Sequence, residues 1–331
     1  MAMRSPKVRK ALRFFIALQT LGGAVALGYI ALGKAGKLEF AVFVVFHLLA
    51  YLGIVLGYHR MLCHRAFTPH PAVKAILLYL GALPFLATPS EFVAQHLAHH
   101  AHADGPRDPH STHHGLFHAH LGWILSDREV TVRKPAWLRR DPMVAWFDRK
   151  HGLIGLSGLL LPGLLCGFLG ALGEGGGLFS FSHALGGTLL GGSLRIFLGQ
   201  HLIFASASLN HSFGPREFDT ADRSHNSPFL LNVLQLGEGY HNHHHALPWA
   251  ASFALHPWQC DVSAWIIHAL EGLGLARKVQ WASAEDWENA RKGGRGRAPR
   301  GERGAGRGGR RVTAPLRRRA GDEGEAIARE P

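Results

Sequence analysis

The sequence predicts an all-α fold of integral-membrane type, with four transmembrane helices in two hairpins beneath a helical cytosolic cap. Three observations predict it. Four apolar segments, about residues 11–33, 38–57, 152–173 and 184–207, each reach the ~20 residues a helix needs to cross a bilayer. Charged residues make up only 18% of the chain against 47% apolar, a low share for a soluble protein of this size. Histidines gather in tight groups beyond the ends of apolar segments.

The elements follow in order. Residues 1–10 hold four Lys or Arg and form a basic cytosolic N-terminus. The segment 11–33 is too long for a signal peptide and has no small-residue cleavage site. It opens a membrane domain running to residue 283. A small loop at 34–37 leads into 38–57. Residues 58–151 form the first part of the cap and carry eleven Lys or Arg. Within them, 72–89 is weakly apolar and interrupted by Pro84 and Pro89, so it reads as an interfacial helix. An even number of spans then keeps all histidine groups on one side. The second hairpin joins 152–173 to 184–207 through a connector without Lys or Arg. The cap resumes over 208–283. Residues 284–331 hold thirteen Lys or Arg among many Gly and Pro, and read as a disordered basic tail.

The positive-inside bias of the N-terminus, cap and tail places both termini and the histidines of a multi-pass membrane protein in the cytoplasm. The tail can touch anionic lipid headgroups. No nucleic-acid-binding fold accompanies its charge, so no nucleic-acid partner is expected. Cys63, Cys166 and Cys260 lie far apart and form no CxxC pair, which leaves disulfide frameworks, zinc ribbons and iron–sulfur sites unsupported.

The histidine groups carry the chemistry. They read His59 and His64; His96, His99 and His100; and His241, His244 and His245, with His211 standing alone. Positions i, i+3 and i+4 share a helical face, so each trio can point at one place. His59 and His64 are five apart, and meet only if the helix ends or bends between them. Eight clustered imidazoles exceed what one ion needs, so the pattern points to two metals in one site. Nitrogen ligands suit iron and zinc rather than magnesium or calcium. Asp104, Asp108 and Glu238 can accept the free ring N–H of ligand histidines and fix their orientation. Asn210 and Asn242, each adjacent to a candidate ligand, are taken as further polar supports. His102, His110, His113, His114, His118, His120, His243 and His256 are surplus to a dinuclear site and read as supporting or surface residues.

At this point the residues match a family. The chain resembles integral-membrane acyl-CoA desaturases of the stearoyl-CoA type. The matching pieces are Gly57-Tyr-His-Arg with His64-Arg-Ala-Phe67, His96-Leu-Ala-His-His100, Asp108-Pro-His110 and His120-Leu-Gly-Trp123. Further on come Asn210-His211, Thr220-x-Asp222-x-Ser224-x-Asn226 and Gly237-Glu-Gly-Tyr-His-Asn-His-His-His245. The resemblance implies two irons held by His59, His64, His96, His99, His100, His211, His241, His244 and His245. Likeness to the bacterial members implies a bacterial inner membrane. The resemblance also implies O2 and electrons from a separate donor, whether ferredoxin, cytochrome or reductase. It implies a long-chain acyl substrate, with Phe92 and Trp123 against the chain, and a cis double bond as product, at position nine. The chain departs from the family pattern at Ala207, where an Asn is usual, at Ala94-Gln95 for Arg-Asp, and at His113-His114 for a basic pair. These departures open the carrier to CoA, acyl carrier protein or a glycerolipid. Two other readings are weighed: a related diiron hydroxylase, and a non-enzymatic metal-binding membrane protein.

Overall fold

The computed structural model describes residues 6–126, 132–175 and 177–293. It is built from helices, with one two-stranded antiparallel ladder pairing Thr68 with Arg277 and Pro69 with Ala276. Helix α1 spans Pro6–Ala31, so it starts inside the segment expected to be a free N-terminus. Helix α2, Lys37–Leu52, runs without a break into a π-helical stretch, Gly53–Cys63. Helix α3 spans Pro71–Ala82 and α4 spans Pro89–His102.

Among the described residues, three helices are long and apolar enough to cross a membrane: Leu12–Ala31, Lys37–Cys63 and Pro142–Gly173. The fourth expected span is helical from Phe181 to Ser208, through another π-helical stretch at Thr188–Leu194. It is not among those three: Arg195, Gln200 and His201 lie within it. The third helix, Pro142–Glu174, begins ten residues before the expected span at 152. Asp141 sets that start, its carboxylate accepting from the amides of Met143 and Val144, with Pro142 at the first helical position. The 72–89 stretch folds as α3 and then a turn through Pro84, as its two prolines require.

Glycines let these helices approach closely. A Cβ on Gly53 would lie 2.0 Å from the Gly81 amide nitrogen, so α3 packs directly on the start of the π-helical stretch. A Cβ on Gly187 would lie 2.6 Å from the Pro162 carbonyl, which brings the last two membrane-side helices together. The main core sits between α2, α3 and α4 and the cap, around Tyr58, Leu78, Val93, Leu138 and Ile267.

The start of the tail is corrected. Residues Ala284–Arg291 form a helix capped by Ser283, not a disordered segment. Its Trp287 is buried in a cluster with Phe218 and Trp249, and burying one large aromatic offsets the ordering of a short charged helix. Residues 294–331, the rest of the basic tail, lie outside the described residues.

Candidate metal centre

Four segments deliver the histidines. The first is the π-helical end of α2. Its bonds run from i to i+5 rather than i+4, and the His64 amide donates to the His59 carbonyl at 3.1 Å. This stacks two residues five apart, the bend that the sequence required without revealing its kind. The second is α4, started by Thr88 and Glu91 in a reciprocal capping pair with Pro89 at the first position. The third is the single turn Leu209–His211 that follows the helix ending at Ser208. The fourth is the short helix His241–Ala246. Gly237 leads into it with φ 103 and sits so close to Asp261 that a Cβ would come within 2.3 Å of that carboxylate. Only glycine takes this conformation and approach without strain.

The nine expected ligands converge in two groups. His59, His64, His96, His100 and His244 form one; His99, His211, His241 and His245 form the other. Within each group the ring nitrogens all lie within 4.8 Å of one another. The groups adjoin: the rings of His100 and His245 stack at 4.5 Å between centroids. Each trio is therefore divided, rather than aimed at one place as expected. On α4, His96 and His100 face the first group and His99 the second. On the helix His241–Ala246, His241 and His245 share a group and His244 serves the other. Neighbouring residues on a helix are about 100° apart round the axis, so consecutive histidines face different positions.

The donor chemistry fits cations. His59 and His244 approach Nε2 to Nε2 at 3.1 Å, His64 and His59 at 3.1 Å, and His64 and His96 at 2.7 Å. His100 and His244 do so at 2.9 Å, and His211 and His241 at 3.0 Å. The Nε2 atoms of His99 and His245 are buried without a partner. Carboxylates hold the outer nitrogens. The Nδ1 of His59 donates to Glu238, that of His99 to Asp108 at 2.9 Å, and that of His211 to Asp104 at 2.9 Å. His245 Nδ1 donates to Asp222 at 2.8 Å. A ring that donates from Nδ1 presents a bare lone pair at Nε2. Several such lone pairs facing inward repel unless a cation lies between them.

The electrostatics agree. Burial, and then repulsion from neighbouring rings, lowers the basicity of His64, His96, His100, His241, His244 and His245 well below the ordinary imidazole range. These rings stay neutral and fit to ligate. Burial acts to raise the Asp104 carboxyl, but its bonds from His211 prevail and hold it at about 2. Asp108 and Asp222 are likewise held well below the usual carboxylate range, by His99 and His245.

Asp104, Asp108 and Glu238 thus sit where the sequence placed them, against ligand rings. Asn210 and Asn242 are placed differently. Asn210 accepts from Ser227. Asn242 accepts from the amides of Glu217 and Phe218 and donates to the Phe218 carbonyl, so it shapes the 217–226 loop rather than holding a ring. Among the surplus histidines, His110 packs against His99 and Trp123, and His243 bonds Glu217 and the Phe253 carbonyl. Sequence reasoning missed the role of Asp222, although it lies in the Thr220-x-Asp222-x-Ser224 piece. It also missed Arg60, fully buried between Glu238 and Asp261.

A cavity of about 210 Å³ reaches the metal groups. Its apolar walls include Leu12, Ile54, Val55, Leu86, Ile124, Ile203 and Phe204, together with Phe92 and Trp123. His59, His96, His99 and His241 line it too, and Ala207 lies beside them. Its lining includes the carboxylates Glu91 and Glu238 and, among the described residues, no Lys or Arg.

A family model for fatty acid desaturases matches residues 38–269. The chain belongs to the fatty acid desaturase family. Relatives of this desaturase act on differently carried chains. It is 32% identical to the sn-1 stearoyl-lipid 9-desaturase of Anabaena variabilis, over 70% of this chain and 79% of that one. It is 30% identical to the hex-5-enoyl-[acyl-carrier protein] acetylenase of Moorena producens, over 81% of this chain and 85% of that one. It is 28% identical to acyl-CoA desaturase 1 of Saccharomyces cerevisiae, over 79% of this chain and 50% of that one. Family membership makes this an oxidoreductase of fatty acyl chains, and its histidine groups are a place for the iron the family uses.

Proposed function

We propose that this desaturase inserts a cis double bond at position nine of a long-chain acyl group, using O2, two irons and electrons from a separate donor. The observation that carries the reading is the meeting of two adjacent imidazole groups with one apolar cavity. The nine ring nitrogens would hold the irons, five on one and four on the other. Iron there would supply O2 activation and the oxidising power to remove hydrogen from an unactivated methylene. The protein's part is positional. Phe92, Trp123, Ile124 and Phe204 exclude water and hold the chain against His96 and His99. Glu238, Asp108, Asp104 and Asp222 lock ring orientations, so the Nε2 atoms need no rearrangement to bind metal.

The same reading takes Phe181–Ser208 as a fourth span with the cap on the cytoplasmic side of a bacterial inner membrane. Arg195 is compatible with this. It is buried, and its guanidinium donates to the carbonyls of Gly191, Leu83 and Gly158, the kind of backbone pairing a membrane-embedded arginine needs. The cavity takes the hydrocarbon, and the carrier's charged groups stay outside walls that offer them no cation. Labelled saturated chains on CoA, acyl carrier protein and glycerolipid test the reading in membranes containing the protein. At least one should yield a cis-9 product with two irons per chain. A hydroxylated product would instead assign hydroxylation, and one zinc with unchanged lipid would end the enzymatic reading.

A further inference from the structure

The two imidazole groups differ in what stands behind them. In the four-histidine group, three rings each have their own aspartate: His99 with Asp108, His211 with Asp104, and His245 with Asp222. The other contacts described for these aspartates come from backbone amides, hydroxyls and the His110 ring. In the five-histidine group the carboxylate against a ring is Glu238, and it is shared. One oxygen accepts from His59 and the other accepts Arg60 Nε at 3.0 Å. Arg60 is fully buried, with its guanidinium 3.9 Å from the Phe253 ring centre and paired to Asp261 at 3.0 Å. It is next to His59 in sequence and touches no ligand ring's inner nitrogen. Its place in this site is behind Glu238.

We propose that Arg60 is a positioning residue that makes the two metal positions electrostatically unequal. It offsets the charge of the carboxylate behind the five-histidine position, while among the described residues the three aspartates of the four-histidine position have no guanidinium or ammonium partner. This rests on the diiron reading. A carboxylate that accepts a ligand's outer N–H raises that ligand's basicity and favours the higher charge on the metal. A cation on the same carboxylate withdraws that effect. The five-histidine iron therefore holds its ferrous state more firmly, and the four-histidine iron gives up its electron first. Electrons from the donor then return preferentially to the five-histidine position.

The test is a potentiometric titration of the iron-loaded protein, followed by Mössbauer spectroscopy, with iron per chain counted first. In the unaltered protein two irons should titrate apart. In Arg60→Met the ferrous-to-ferric ratio of one iron at a fixed potential should fall about tenfold, equivalent to about 59 mV. The other iron should stay in place. Asp222→Asn should move that second iron instead, in the opposite sense. Because Arg60→Met leaves Glu238 and Asp261 without their cation and can fail to fold, Arg60→Met/Asp261→Asn removes one charge of each sign and should move the same iron in the same sense by a smaller amount. Both irons moving together, or neither moving, overturns the proposal and leaves the diiron reading standing. Fewer than two irons per chain in the unaltered protein overturns that reading, and the proposal with it.

Discussion

Four of the nine candidate ligand imidazoles in this desaturase, His59, His99, His211 and His245, are each set by two kinds of neighbour, a carboxylate outside and bare nitrogens inside. The outer partner matters because it selects the tautomer. Replacing Asp222 with Ala should free the His245 ring and lower metal affinity about 10–100-fold. Iron retained during dialysis against a chelator measures this, and unchanged retention would contradict the role. Acid should act through the rings. The depressed basicity of His64, His96, His100, His241, His244 and His245 means that the unfolded chain takes up protons at pH ~6.5 while the folded site refuses them. Stability is thus fully present above pH ~6.5 and falls as the pH drops below it, before the aspartates protonate. Thermal unfolding of the metal-free protein between pH 8 and 5 should show that decline; a flat profile would oppose it. Eight of the nine converging histidines were legible because their spacing is local, whereas the isolated His211 entered only through the family resemblance. Asp222 and Arg60 were not, since their partners are 23 and 178 residues away.

At the scale of elements, the π-helical stretch after α2 is the decisive piece. It turns His59 and His64 toward one group and depends on close contact with α3. Gly53→Ala would drive a Cβ to 2.0 Å from the Gly81 backbone, which cannot yield as a side chain tip can. A loss of about 1–3 kcal/mol is expected, read as a lower unfolding temperature in detergent. An unaltered temperature would mean the contact is dispensable. The interruptions at Pro84 and Pro89 after α3 could be read from the sequence. The π-helical bonding could not, because a hydrophobic run looks alike in either helix. The Ala284–Arg291 helix was hidden for another reason. Its composition is polar, and one residue, Trp287, anchors it against Phe218. Trp287→Ala should cost about 3–5 kcal/mol at this packing site. Limited proteolysis should then cut near residue 284 faster than in the parent. Equal rates would show that the helix is not held by its tryptophan.

For the whole molecule, apolar length was enough to foresee a mostly helical chain with helices able to cross a membrane. Three of the four segments have the length and apolar character expected. The last segment carries Arg195, two of whose carbonyl partners, Leu83 and Gly158, are distant in the chain and leave no trace in sequence. The division of the histidines into five and four also emerges only in three dimensions, because it follows from which face of each helix meets the others. Together these place an apolar cavity beside two adjoining histidine groups, and from that arrangement comes the proposed chemistry. The most direct measurement is the double-bond profile of membrane lipids in a host lacking its own desaturase, comparing the unaltered chain with His99→Ala at equal membrane content. The unaltered chain should produce cis-9 unsaturated acyl chains and His99→Ala none. Saturated lipid in both, or unsaturation that survives the loss of His99, would contradict the account.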